Sequence, residues 1–230
     1  GFERMKFAEY LTTPNFCCPK APVHKVNAAS AVIIIRFILK VFSVKIIILV
    51  TFVSCNRTKN NMSKRVLVSG GAGFIGSHVT VELIQSGYEV VVADDMSNCD
   101  MTCFEGVKKI TGREDIPFIK MNFCDLDAVN KLFSEFQIDA VIHFAAFKAV
   151  GESVSEPVKY YSNNLSSFLN VIEAAKTHGG CNVLFSSSAT VYGEPDKLPV
   201  TEESPRQPAT SPYGNTKQIC EDILRDSVKA

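Results

Sequence analysis

Tyr213 and Lys217 stand four residues apart, so on a helix they share one face with Cβ atoms about 5 to 6 Å apart. An ammonium that close favours phenolate over phenol and moves a tyrosine pKa from about 10 toward neutrality, where the side chain works as a general base. By itself Tyr-x-x-x-Lys is a common pattern, equally at home on a solvated helix face. A second set of hydroxyls gives it weight: Ser186-Ser-Ser-Ala-Thr-Val-Tyr-Gly193 follows directly on an apolar strand-like run. A hydroxyl from that run can orient a substrate oxygen beside Tyr213.

These groups need a partner to act on, and the other end of the chain supplies a place for one. Arg65-Val-Leu-Val-Ser-Gly-Gly-Ala-Gly-Phe-Ile-Gly-Ser-His78 runs from a strand pattern through spaced glycines into a helical pattern. Gly71, Gly73 and Gly76 fit the G-x-G-x-x-G spacing, and Gly70, Gly73 and Gly76 fit G-x-x-G-x-x-G. In either register a tight turn, a backbone bare of Cβ and a helix N-terminus make a cradle for a pyrophosphate. Val90-Val-Val-Ala-Asp94 then places an acid at a strand end, 18 positions after Gly76. A carboxylate there accepts from both adenosine ribose hydroxyls and repels a 2′-phosphate. With no Arg in Asp95-Met-Ser-Asn98, the pattern favours NAD over NADP.

The elements between these points alternate. Helical patterns are read over 74–84, 100–112, from Asp125 as a cap, and through Tyr160 to Ala175. Strands are read at Ile116–Ile119, Ala140–Ala146 and Asn182–Ser187, and the Pro-rich stretch 193–212 is a surface loop before a final helix opening at Pro212. His143, inside the continuous apolar run, reads as a core histidine. Such alternation predicts an α/β doubly wound parallel sheet, a Rossmann fold, with ligands at the strand carboxyl ends.

The 24 basic and 24 acidic side chains cancel, so no electrostatic footprint for nucleic acid exists. Eight cysteines are scattered without metal-ligand or disulfide spacing, which predicts reduced thiols, no metal and a cytoplasmic setting. Residues 1–61 read as an unrelated extension with nothing to pair with in such a fold, and Met62 as the true start of a domain spanning 62–230. The apolar stretch 31–53 could span a bilayer, but Arg36, Lys40 and Lys45 interrupt it. Each central cation opposes insertion by about 2.5 to 3.5 kcal/mol. A membrane anchor through 31–53 is the alternative.

Taken with these features, five segments resemble the extended short-chain dehydrogenase/reductases, and within them the 4-epimerases of UDP-sugars. They are 70–78, His143-Phe-Ala-Ala-Phe-Lys-Ala-Val-Gly-Glu-Ser-Val154, Tyr160-Tyr-Ser-Asn-Asn164, Ser186 to Gly193 and Ser211-Pro-Tyr-Gly-Asn-Thr-Lys217. The resemblance runs from about Ser63 to Ala230.

It implies Tyr213, Lys217 and Ser188 as catalytic residues, with Lys217 also on the nicotinamide ribose. Cofactor contacts would come from Gly70, Gly73, Phe74, Ile75, Gly76, Asp94 and Asn98, from Asn122 and Phe123, from Phe144, Ala145, Ala146 and Lys148, and from Asn163 and Ser186. Lys148, Ser188, Thr190 and Tyr213 would meet a UDP-sugar. The family also implies a homodimer in the full-length form. Asn122 stands where Asp is usual and Ala146 where Gly is common, and the family's C-terminal substrate lobe would follow Ala230. Two rivals stay open: another sugar-nucleotide epimerase, and a non-catalytic NAD-binding fragment. A 4,6-dehydratase needs an extra acid that Ser188-Ala-Thr190 does not offer.

Overall fold

Alternate residues of each strand go to opposite faces of a sheet, and here both faces are apolar. In the computed structural model, which describes residues 48–52, 65–201 and 204–229, the consequence is a sheet covered on both sides. Leu67, Val91, Val141 and Val183 join one buried cluster, while their neighbours Val66, Val68, Val90, Val92, Ile142 and Leu184 join the other. Runs without a polar face are what a parallel sheet under two helical layers requires.

The elements are β1 (Ile48–Phe52), β2 (Arg65–Ser69), α1 (Phe74–Gln85), β3 (Glu89–Asp94), α2 (Thr102–Thr111), β4 (Phe118–Lys120), α3 (Leu126–Glu135), β5 (Ala140–His143), α4 (Val150–Ser155), α5 (Pro157–Thr177), β6 (Asn182–Ser186), a 3-10 turn (Ala189–Tyr192) and α6 (Pro212–Lys229). Strand order is β1-β6-β5-β2-β3-β4. Strands β2 to β6 are parallel, so the doubly wound sheet expected from the alternation is present. Helices α1 and α2 supply Val79, Leu83, Phe104 and Val107 to one layer. Helices α3, α5 and α6 supply Val129, Leu132, Phe168, Val171 and Leu224 to the other.

Local chemistry sets the boundaries. Asp125 caps α3 as expected, its carboxylate accepting from Ala128 N–H at 3.1 Å. The strand expected at Ile116–Ile119 pairs only from Phe118, because Pro117 has no N–H to give and contributes only its carbonyl, to Val92 N–H at 2.9 Å. The helical segment expected around Tyr160 begins at Val150 and breaks at Glu156, the residue ahead of Pro157.

One expectation is corrected at the sheet edge. Strand β1, from the N-terminal extension, pairs antiparallel with β6, Ile48 opposite Ser186 and Phe52 opposite Asn182. An uncovered edge strand offers a ladder of N–H and C=O groups to any extended segment that reaches it, so the extension does have a partner in this fold. The expectations for residues 1–47 and 53–64, including the Met62 start and most of the apolar stretch 31–53, lie outside the described residues. Among the described residues no helix is long and apolar enough to cross a membrane.

Candidate active site

Strands β3 and β5 lie on either side of β2, which makes the carboxyl end of β2 the point where the chain's winding direction reverses. Ligands of doubly wound sheets collect there. A crevice of about 910 Å³ opens at that point.

Its floor is the glycine turn. Gly70 has φ +74°, and a Cβ on it would lie 2.7 Å from Ala145 N. A Cβ on Gly76 would run into the Gly70 carbonyl oxygen, so the start of α1 is laid directly on the turn. The lining includes Gly70, Gly73 and Gly76 but not Gly71, whose own missing Cβ makes room for Val92. The G-x-x-G-x-x-G register is therefore the one facing the crevice. The first intrahelical bond runs from Ser77 N–H to Gly73 O at 2.9 Å, and the N–H groups ahead of it are those that a helix cannot pair internally. Bare backbone and the positive end of a helix fit a pyrophosphate.

Asp94, 7% exposed, stands at the end of β3. Its Oδ2 accepts from Ala72 N–H at 3.1 Å, and its Oδ1 from Met96 N–H at 3.0 Å and the Cys99 thiol at 3.5 Å. Burial, and then the neighbouring carboxylate, push the Cys99 thiol up to about 12, so it stays a protonated donor. Oδ2 keeps a lone pair for a hydroxyl. Asn98, Asn122, Phe123 and Cys103 complete this end of the lining. The Asn122 amide oxygen already accepts from Cys124 N–H at 2.8 Å.

At the other end the lining gathers Phe144, Ala145, Ala146, Lys148 and Asn163 with Ser186, Ser188, Tyr213 and Lys217. Phe74 and Ile75 lie on the α1 side. Thr190 is a step behind, its hydroxyl donating to Ser188 Oγ at 3.0 Å. Ser188 lines the crevice with Tyr213 and acts to hold its phenol down.

The electrostatics differ from the expectation drawn from the four-residue spacing. Burial raises the Tyr213 phenol above its ordinary value, and the Ser188 hydrogen bond opposes that rise. Lys217 Nζ lies 5.9 Å from the Tyr213 ring centroid and donates to Ser186 O at 2.9 Å. Its charge is directed at the serine loop rather than at the phenol oxygen. Burial also pulls Lys217 down to about 8. His143 is the core histidine that was expected: it is enclosed, its Nδ1 lies 2.8 Å from Ser69 Oγ, and burial, then Lys217, drive it down to about 3.

Two residues that no motif spacing marks, Asn164 and Gln218, hold the site together. Asn164, 3% exposed, accepts from Phe147 N–H at 2.8 Å and donates to Phe147 O and Thr216 Oγ1, each at 3.1 Å. It ties the loop after β5 to α6. Gln218 Nε2 donates to Val191 O at 2.8 Å and to Gln207 O at 2.6 Å. A buried amide in the middle of a helix was the only available signal, and sequence alone does not give burial.

A parallel sheet of this order, with a glycine cradle at the switch point and Ser, Tyr and Lys converging on the same crevice, defines the short-chain dehydrogenase/reductase type of dinucleotide fold. Within it the chain belongs to the GDP-mannose 4,6 dehydratase family, whose profile matches residues 67–230. It is 52% identical over 161 residues to the UDP-glucose 4-epimerase of Bacillus subtilis, covering 70% of this chain and 47% of that one. It superposes on the crystal structure of the Bifidobacterium longum UDP-glucose 4-epimerase in complex with NAD+ and UDP, with TM-score 0.69 and 46% identity over 71% of this chain and 48% of that one. A Stenotrophomonas maltophila UDP-glucose 4-epimerase with bound NAD and formylated UDP-arabinopyranose gives TM-score 0.67 and 43% identity, covering 71% and 48%. The chain thus spans about half the length of the curated relatives it matches.

Proposed function

We propose that the chain carries the NAD-binding and proton-transferring half of a UDP-glucose 4-epimerase, an isomerase that interconverts UDP-galactose and UDP-glucose in galactose metabolism. The observation that carries this reading is that Tyr213, Lys217 and Ser188 line the same crevice as Gly70, Gly73, Gly76 and Asp94. A dinucleotide with its pyrophosphate on the cradle and its ribose on Asp94 brings its far end to the tyrosine. Identity of 52% to one epimerase and close superposition on another support the same reading.

Bound there, NAD supplies a reversible hydride acceptor for sugar C4. In this reading Tyr213 removes the proton from the sugar 4-hydroxyl, and Ser188 holds the same oxygen with Thr190 behind it. Lys217 fixes the nicotinamide ribose, and Lys148 reaches both cofactor and sugar. Asn98, Asn122, Phe123, Phe144, Ala145, Ala146, Asn163 and Ser186 enclose the cofactor. Burial raises the Tyr213 phenol, so the phenolate that takes the sugar proton needs cationic support nearby, and the tyrosine protonated in that step then returns the proton to the keto sugar.

The same reading takes residues 62–230 as the dinucleotide-binding domain, its UDP-sugar held largely by a further lobe. It also takes the protein as cytoplasmic and as a homodimer. Val158 and Leu169, eleven residues apart on α5 and hence on one side, are both exposed, as a dimer face requires. Because the Stenotrophomonas relative binds a UDP-arabinopyranose derivative, a second reading is an epimerase that also accepts pentoses.

The test is interconversion of UDP-galactose and UDP-glucose by the chain joined to the carboxyl half of the Bacillus relative. Activity that is lost in Tyr213→Phe is expected. A folded, NAD-loaded fusion without activity would remove the epimerase reading.

A further inference from the structure

The serine loop is fastened to α6 by three side chains. Lys217 Nζ donates to Ser186 O, Gln218 Nε2 donates to Val191 O, and Glu221 Oε1 accepts from Ser187 Oγ at 2.5 Å. The third fastening has no part in the chemistry described so far. Glu221 is 8% exposed, and its other oxygen lies 3.7 Å from Arg206 Nη1. Arg206 itself forks onto Asp222 at 2.8 and 2.6 Å. A carboxylate buried to this degree is costly unless paired, and a serine alone could be held by a neutral amide.

Its position supplies the reason for a charge. Tyr213, Lys217 and Glu221 follow one another at intervals of four residues on α6, one turn apart along a single face. We propose that Glu221 is a positioning residue for the Tyr213–Lys217 pair, anchoring the serine loop through Ser187 and setting a negative charge one turn from the buried Lys217 ammonium. The inference rests on the reading of Tyr213 and Lys217 as the reacting pair.

The surroundings of Lys217 favour this assignment. On α6 itself stand Tyr213, Cys220 and Glu221. Burial pushes the Cys220 thiol up to about 12, leaving it neutral. His143 on β5 is neutral also, being drawn down to about 3. From β6 come only the Phe185 ring, 4.7 Å from Nζ, and the Ser186 carbonyl. Arg206, on the loop before α6, is like-charged but spent on Asp222 and Glu221. Against the desolvation of Lys217 stand Cys220 first and then Glu221, the carboxyl group of that pair. An ammonium kept charged and a loop kept in register are both needed for Ser188 and Tyr213 to meet one oxygen.

Two substitutions separate the roles. Glu221→Gln keeps an acceptor for Ser187 but removes the charge; Ser187→Ala keeps the charge but removes the anchor. The readouts are the Lys217 titration, followed by NMR of the 230-residue chain with carbon-13 at lysine Cε and assigned with Lys217→Met, and amide hydrogen exchange. Glu221→Gln is expected to lower the Lys217 midpoint by about one pH unit. Ser187→Ala is expected to move it much less and to speed exchange at Ser187 to Thr190. A Lys217 midpoint unchanged in Glu221→Gln overturns the proposal, and so does unchanged exchange in Ser187→Ala. Neither readout needs a cofactor, so failure of NAD to bind bears on the functional reading alone.

Discussion

Lys217 Nζ donates to the Ser186 carbonyl at 2.9 Å, packed against the Phe185 ring, while Tyr213 presents its ring rather than its hydroxyl to the same ammonium. Lysine and tyrosine on one helix face are thus joined through the serine loop. Ser188 lines the crevice with Tyr213, Lys217 grips the residue two before Ser188, and the tuning of Tyr213 passes through that loop.

The buried ammonium makes stability depend on pH. The folded value of about 8 lies below the ordinary 10.5, so between those two values the unfolded chain holds a proton that the folded chain has released. Stability from this group therefore rises as pH climbs from about 8 to 10.5, and the full penalty is present below 8. In Lys217→Met the penalty is absent. Denaturant melts of both proteins should show the variant about 1 to 3 kcal/mol more stable at pH 7, the lost hydrogen bond offsetting part of the gain. The difference should close toward pH 10.5.

Asp94 accepts two backbone N–H groups and a thiol and still has capacity on Oδ2. Asp94→Ala removes a charged acceptor for ribose hydroxyls and the repulsion of a 2′-phosphate. NADH affinity, followed by its fluorescence on binding, should fall about tenfold or more. NADPH affinity should fall less, narrowing the preference between them.

Asn164 spends both ends of its amide inside the protein, on Phe147 and Thr216. Asn164→Ala strands those groups away from water, and the expected loss is about 2 to 4 kcal/mol of stability in urea unfolding. Asn164→Asp, which sets an unpaired buried carboxylate against the Phe147 carbonyl, should cost at least as much as the alanine.

The sheet was legible because its strands are unbroken apolar runs, and the crevice because glycine spacing and an acid at a strand end follow from backbone geometry. Tyr213, Lys217 and Ser188 could be read as a group only through their order along the chain. What could not be read was burial. The Lys217 to Ser186 bond, the fastening of Val191 by Gln218 and the Asn164 bracket depend on α6 lying against β6 and α5, a tertiary contact with no local pattern. The β1 pairing escaped for a similar reason: an extended segment of the extension and an open edge of β6 are each unremarkable until they are adjacent.

The central claim is that the turn from Gly70 to Gly76 carries the dinucleotide that serves Tyr213. Calorimetric titration of the 230-residue chain with NAD+ tests it directly, alongside Gly76→Ala, whose added Cβ would run into the Gly70 carbonyl oxygen. The prediction is saturable binding at one site per chain, lost in the variant. Absence of binding by the parent chain, or equal binding by Gly76→Ala, would contradict it.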